Sequence, residues 1–100
     1  MSETWRRFIL WFWLRPDHMH DGKMNSTNED PLALAIKEKL GDQYKSPRDI
    51  VAVGDNEVYL AIEGKHYTAQ YDIDMLYRTS SPNKSRQVKL DFKEFRLTGN

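Results

Sequence analysis

Residues 5–15 read WRRFILWFWLR, and the stretch from Phe8 to Leu14 is the longest uninterrupted apolar run of the chain. The run is short, rich in aromatic residues and followed by Pro16, a combination that favours a β-strand. On a strand, the even-numbered side chains would share one face. The opposite face would then carry Trp5, Arg7, Ile9, Trp11, Trp13 and Arg15. A short amphipathic helix over the same residues is the alternative, and such a helix would suit a membrane interface.

The overall composition is that of a globular protein, with 39% hydrophobic and 30% charged residues among 100. Lys plus Arg and Asp plus Glu each number 15, so the formal net charge is zero. This balance disfavours a strongly basic nucleic-acid module and an acidic nucleic-acid mimic. Cysteine is absent, which excludes disulfides, thiol catalysis and cysteine-ligated zinc.

The length of the apolar run also indicates where in the cell the protein resides. A membrane-spanning helix needs about 20 apolar residues, far more than the run that ends at Leu14. A secretory signal would need a small-residue cleavage site, and Arg15-Pro16 follows the run instead. We therefore expect a cytoplasmic protein with no membrane span.

Residues that typically start and stop helices predict one helix. Asp30 suits the N-cap, Pro31 the first helical position and Gly41 the C-terminal stop. Leu32, Ile36 and Leu40 would form its apolar stripe. At about ten residues the helix would be marginal alone, so it must pack against the rest of the domain.

Four further strands are predicted over residues 50–53, 58–62, 66–77 and 88–97. The turn residues between the first three of them, 54–57 and 63–65, predict consecutive hairpins. The clearest alternation lies in 66–77, where Tyr67, Tyr71 and Tyr77 fall on the apolar face. In the last strand the alternation slips after Lys93, and a β-bulge there would return Phe95 to the inward face.

The order β-α-β-β-β-β predicts a single α+β domain over residues 1–100. Its sheet would be mixed, mostly antiparallel and about five-stranded, with one helix packed on one face. Residues 16–29 are predicted to form a long polar loop. Residues 98–100 are predicted to be a frayed tail.

Signals for catalysis or metal binding are sparse. His18 and His20 could hold a divalent ion if a third ligand such as His66 joined them. Their spacing is not that of a zinc site, so a solvated loop is the simpler interpretation. Asp72 and Asp74, ~7 Å apart on one strand face, could act as an acid–base pair, but such carboxylates are usually only solvated. The sequence therefore predicts no metal, no cofactor and no enzymatic activity.

Protein binding is the leading functional hypothesis, because Trp, Tyr and Arg are the typical anchors of interfaces. One short helix can cover only one face of the sheet, so we expect the other face to stay open. Its predicted anchors are Trp5, Arg7, Trp11, Trp13 and Arg15. An electrostatic guide is predicted from Arg86, Lys89, Lys93 and Arg96. The protein would be an adaptor, an inhibitor or an immunity-type partner that acts by occlusion or bridging, and a homodimer contact is a further form of the same hypothesis.

Single-stranded nucleic-acid binding is the alternative hypothesis. Such proteins stack bases on aromatic side chains above a basic groove. Tyr67, Tyr71 and Tyr77 would supply the stacking, and the basic last strand would supply the charge. The difficulty is that the tyrosines share their face with apolar core residues, so the aromatic and cationic groups would lie on opposite faces.

Overall fold

The computed structural model describes residues 7–22, 29–41, 44, 48–81 and 83–95. The elements are β1 (Arg7–Leu14), α1 (Pro16–Asp21), α2 (Pro31–Leu40), β2 (Ile50–Val53), β3 (Glu57–Ile62), β4 (Lys65–Gln70), α3 (Ile73–Thr79) and β5 (Arg86–Phe95). The strands form one sheet in the order β1-β5-β4-β3-β2, and every neighbouring pair is antiparallel. The predicted α+β class with a five-stranded sheet is confirmed, and the described part of the apolar N-terminal run forms a strand, Arg7–Leu14, rather than a helix.

The core lies on one side of the sheet. In β1 the even-numbered side chains are buried or half-buried, whereas the odd-numbered ones are exposed. Helix α2 packs against β1 and β2, and α3 adds Ile73 and Leu76 to the same cluster. The largest fully buried side chains are Phe92, Leu14, Leu32, Ile36, Leu60, Leu76 and Leu90. Among the described residues, every helix falls short of the length and apolarity needed to cross a membrane.

Helix α2 begins and ends where its sequence predicts. The Asp30 carboxylate accepts a hydrogen bond from the Leu32 backbone N–H at 2.9 Å, and Pro31 occupies the first turn. Gly41 follows the last turn with φ of 51°, a backbone conformation that favours glycine. The Tyr77 hydroxyl of α3 donates to the Asp30 carboxylate and accepts from the Leu32 N–H at 3.1 Å. This contact fixes α3 against the start of α2.

The predicted strand over 66–77 is wrong in its second half. Strand β4 ends at Gln70, and α3 begins at Ile73 because Asp72 caps it, its carboxylate accepting the Met75 N–H at 3.0 Å. Ile73 and Leu76 are three residues apart, and both are buried, so a helical turn also satisfies their apolar pattern. The prediction that three tyrosines share one strand face is therefore wrong. The three are Tyr67, Tyr71 and Tyr77.

The polar segment 16–29 is not a loop throughout, because α1 occupies its first six residues. Pro16 stands at the first helical position, and the buried His18 ring accepts the Arg15 backbone N–H at its Nδ1 at 3.0 Å. After α1, Gly22 lies so close to Pro31 that a Cβ would stand 2.5 Å from the Pro31 nitrogen. The remainder of the segment, 23–28, and the tail at 98–100 lie outside the described residues.

A two-residue turn joins β3 to β4. Glu63 and Gly64 both have positive φ, 54° and 78°, which is the pattern of a type I′ hairpin. The hairpin predicted at this position is confirmed. Glutamate is a strained choice at its first position, because its Cβ crowds the backbone in this conformation.

Candidate protein-binding face

The side of the sheet opposite the core forms the candidate site, which we call the open face. Antiparallel pairing places directly opposite residues on the same face, so the β1–β5 register aligns Trp11 with Lys89 and Trp13 with Gln87. Continuing across the sheet, the face consists of Arg7, Ile9, Trp11 and Trp13 of β1, Gln87, Lys89, Asp91, Lys93 and Phe95 of β5, His66, Thr68 and Gln70 of β4, Glu57, Tyr59 and Ala61 of β3, and Ile50 and Ala52 of β2.

The apolar side chains of β1 on the open face are widely accessible to solvent. Ile9 is 50% exposed, Trp11 is 48% exposed and Trp13 is 54% exposed. Their even-numbered neighbours Phe12 and Leu14 are almost fully buried. The structure thus places Trp11 and Trp13 where the alternation predicts, outside the core, and brings three large apolar side chains together on one strand.

Cations lie among these aromatic rings. The Lys89 ammonium stands 5.3 Å from the centroid of the Trp11 ring, within the range of a cation–π interaction. Arg7 forms an ion pair with Asp91 at 2.5 Å. That contact raises the pKa of the Arg7 guanidinium and lowers the pKa of the Asp91 carboxyl, chiefly through the hydrogen bond between them. Arg7 is therefore oriented across the strand pair while staying largely exposed.

A second aromatic cluster lies further along the open face. The Tyr59 hydroxyl and His66 Nδ1 are 2.5 Å apart, and the Phe95 ring lies 6.0 Å from each of the two rings. The predicted β-bulge is wrong, because the register runs evenly from Thr68 opposite Lys93 to His66 opposite Phe95. Phe95 therefore joins the open face instead of the core. Regular alternation along β5, with no bulge after Lys93, predicts this position for Phe95.

Arg15, a predicted anchor of the docking surface, is held in ion pairs at the end of β1. Its guanidinium contacts both carboxylate oxygens of Asp17 at 3.0 Å and those of Glu38 at 2.5 and 2.7 Å. The hydrogen bonds to Arg15 lower the pKa of Asp17 to about 2 and lower that of Glu38, and they raise the pKa of Arg15. The guanidinium therefore joins the end of β1 to α1 and α2.

The same junction contains the group of side chains best placed to hold a metal ion among the described residues, Asp17, His18 and Glu38. Arg15 already supplies the positive charge between the two carboxylates. The predicted histidine set is not brought together, because His18 contacts Glu38 whereas His66 contacts Tyr59 in the sheet. The geometry here is that of an ion-pair junction.

The remaining predicted site residues are dispersed. In the predicted guide, Lys89 and Lys93 lie on the open face, but Arg86 contacts the Thr79 hydroxyl instead. Trp5 and Arg96 lie outside the described residues. Asp72 and Asp74 do not share a strand face as predicted. Asp72 caps α3, and Asp74 forms an ion pair with Arg78 at 3.0 Å.

A groove runs beside β1, one of the two edge strands of the described sheet. Its volume is about 230 Å³, and it separates the strand from α2. The lining residues are Trp11, Phe12, Trp13, Arg15, Ala35, Glu38, Lys39 and Gln87. Because three consecutive β1 residues line it, the groove follows the outer side of the strand.

Comparison with known proteins adds no assignment. The chain matches no protein-family model, no curated protein and no solved structure. Interpretation of the open face therefore depends on its geometry and chemistry.

Proposed function

We propose that this protein is a non-enzymatic, cytoplasmic protein-binding domain whose docking surface is the β1 half of the open face. It acts as an adaptor, an inhibitor or an immunity-type partner, by occlusion or bridging. The observation that carries the proposal is the exposure of Trp11 and Trp13, 48% and 54%, side by side on an edge strand. Exposed clusters of large apolar side chains typically mark interaction sites.

The surrounding residues support a protein partner. Trp and Arg dominate the binding energy of interfaces, and the proposed surface joins two tryptophans to Arg7 and Lys89. Arg7 is held by Asp91, so it is oriented before binding and loses less conformational freedom on docking. The surface thus combines an apolar centre with a charged rim.

Affinity capture from cells of the source organism tests the proposal. The wild type and the Trp11→Ala and Trp13→Ala variants serve as baits, with Met75→Ala and Ile50→Ala as matched controls. Met75 and Ile50 are exposed to a similar extent, 47% and 45%, but lie on α3 and on the opposite edge strand. We expect both tryptophan variants to lose a partner that the controls retain. Equal recovery by all five baits would contradict the proposal.

Single-stranded nucleic-acid binding is the second candidate, and one observation favours it. The accessible aromatic rings are not the predicted tyrosines of one strand, but Trp11 and Trp13 share a face with Lys89 and Lys93. Stacking rings and cations are thus adjacent, as in sheet-based single-strand binders. Asp91 and its ion pair reduce the positive potential of this face, which is why protein binding ranks first.

Titration with a labelled single-stranded oligonucleotide at several salt concentrations separates the two functions. Nucleic-acid binding predicts an affinity that falls steeply with salt and that Trp11→Ala weakens. Protein binding predicts no salt-dependent association with the oligonucleotide.

A further inference from the structure

A cavity lies on the core side of the sheet, where α2 ends. Its volume is about 320 Å³, at the lower end of the range for ligand pockets. The apolar part of its lining consists of Phe8, Leu10, Leu40, Leu60 and Ile62. The cavity is therefore on the opposite side of the sheet from the open face, and a ligand that fits it must be small and largely apolar.

Aromatic rings form part of the cavity wall. The Phe8 and Tyr67 rings meet edge to face with their centroids 4.9 Å apart, and Phe8 also stacks on the buried Phe92 ring at 5.1 Å. A further ring placed in the cavity would extend this cluster in the geometries that aromatic pairs prefer. The wall therefore favours a ligand with an aromatic body.

Two exposed side chains of opposite charge, Glu63 and Lys65, also line the cavity. Lys65 is directly opposite Ile62, and the next pair on this face is Tyr67 with Leu60, which is almost fully buried. Directly opposite residues share a face of the sheet. The strand register thus places the Lys65 ammonium on the core side, at the mouth of the cavity.

Glu63 occupies the first position of the turn between β3 and β4, with φ of 54°. Glycine, asparagine and aspartate are the usual residues at this position, and strained residues of this kind are concentrated at functional sites. Neither the Glu63 nor the Lys65 side chain forms a hydrogen bond or an ion pair with another described residue. Both charges at the mouth are thus available to a ligand.

We propose that this cavity binds a free aromatic α-amino acid. Such a ligand carries an ammonium and a carboxylate on one carbon atom, which matches the two opposite charges at the mouth. Its ammonium would contact Glu63, its carboxylate would contact Lys65, and its ring would lie against Phe8 and Tyr67. The site is separate from the docking surface, so this inference goes beyond the proposed function and does not depend on it.

Titration of the isotopically labelled protein with L-phenylalanine, followed by NMR, tests the site. We expect saturable shifts of the Gly64 and Tyr67 backbone amides, with a dissociation constant in the millimolar range, because exposed ion pairs contribute little. Glycine has the same charges without the ring and should not bind measurably. L-Phenylalaninamide lacks the carboxylate, and N-acetyl-L-phenylalanine lacks the ammonium. Each should bind about two- to fivefold more weakly than L-phenylalanine.

Two variants test which charge contacts which group. Lys65→Gln should weaken binding of L-phenylalanine about two- to fivefold but should not weaken binding of L-phenylalaninamide, which has no carboxylate. Glu63→Gln should weaken binding of L-phenylalanine but not that of N-acetyl-L-phenylalanine, which has no ammonium. Lys93→Gln and Glu57→Gln are the same substitutions on the open face and should leave every affinity unchanged. The amide spectra show whether each variant is folded.

Absence of saturable L-phenylalanine binding by the wild type would overturn this inference. Glycine binding as tight as that of L-phenylalanine would overturn it by excluding the apolar cavity, and equal affinities for L-phenylalanine and its two analogues would overturn the charge pairing. Each of these failures would leave the proposed protein-binding function intact, because the docking surface lies on the other side of the sheet. Conversely, a Trp11→Ala variant that keeps its cellular partner would contradict the proposed function without affecting the cavity.

Discussion

Replacing Asp30 with asparagine should change how the stability of this protein depends on pH. Asp30 is only 4% exposed, and burial raises the pKa of its carboxyl from 3.8 to about 6, although the hydrogen bond from the Leu32 N–H opposes the shift. Asparagine has nearly the same shape and is an equally good N-cap. The substitution therefore removes the buried charge and keeps the hydrogen bonds of the cap.

The size of the effect follows from the two pKa values. Because the folded-state pKa is the higher one, the folded protein binds this proton more tightly than the unfolded chain does. The stability contributed by the proton is fully present below about pH 4 and is lost as the pH rises through about 6. A difference of about two units corresponds to about 3 kcal/mol. Donation by the Tyr77 hydroxyl favours the charged carboxylate, so this figure is an upper bound.

Urea unfolding of the wild type and Asp30→Asn at about pH 4 and about pH 7 measures the difference. We expect Asp30→Asn to be the more stable protein at the higher pH and to lose that advantage at the lower pH. Asp72→Asn, the same substitution at the exposed N-cap of α3, controls for the change of residue type. A difference between wild type and Asp30→Asn that is the same at both pH values would refute the reasoning.

Four further substitutions probe the packing and the turn between β3 and β4. Phe92→Ala removes a fully buried ring and should lower the free energy of unfolding by about 3–5 kcal/mol, whereas Trp13→Ala on the open face should change it by only about 0.5 kcal/mol; equal losses in urea unfolding would show that the two faces are not as distinct as described. Tyr77→Phe deletes the hydroxyl that joins α3 to α2 and should cost about 1–2 kcal/mol, an effect that a calorimetric scan would detect and that an unchanged midpoint would exclude. Glu63→Asn should raise the stability by up to about 1 kcal/mol, because asparagine tolerates the positive φ of this turn better than glutamate does, and a lower denaturation midpoint would contradict this assignment of strain.

Local signals in the sequence predicted much of the fold. The alternation in β1 correctly predicted which side chains face the core and which lie on the open face. Side chains of a strand point alternately to its two faces, so once one set packs on the core the other set must point away from it. The capping residues Asp30 and Gly41 correctly placed α2, since each satisfies a backbone requirement that depends on its neighbours alone. Hairpin turns were predictable for the same reason.

Two helices were missed because their sequence patterns are ambiguous. In 66–77, apolar residues at every second position indicate a strand, but Ile73 and Leu76 also suit a helical turn. The N-cap Asp72 was the available signal for that turn. Helix α1 has Pro16 as its start signal, yet it buries few apolar side chains, so its amphipathic pattern is weak. What could not be predicted is the tertiary contact, such as Arg15 with Glu38, that holds α1 in place.

The open face was only partly predictable. Its tryptophans follow from the alternation of β1, but its other members depend on which strands are neighbours. Lys89 meets Trp11 only because β5 is inserted between β1 and β4, and the strand order was not fixed by any local pattern. The same long-range pairing brings Phe95 beside Tyr59 and His66.

Hydroxyl-radical footprinting of Trp11 and Trp13 tests the central claim most directly. Mass spectrometry would compare their oxidation in dilute, isolated protein with their oxidation in a concentrated extract of the source cells. Met75, similarly exposed on α3, serves as the internal reference. If the open face is a docking surface, both tryptophans are oxidised readily in isolation and protected in the extract, while Met75 is oxidised equally in both. If the oxidation of both tryptophans relative to Met75 were the same in the extract as in isolation, the claim would be contradicted.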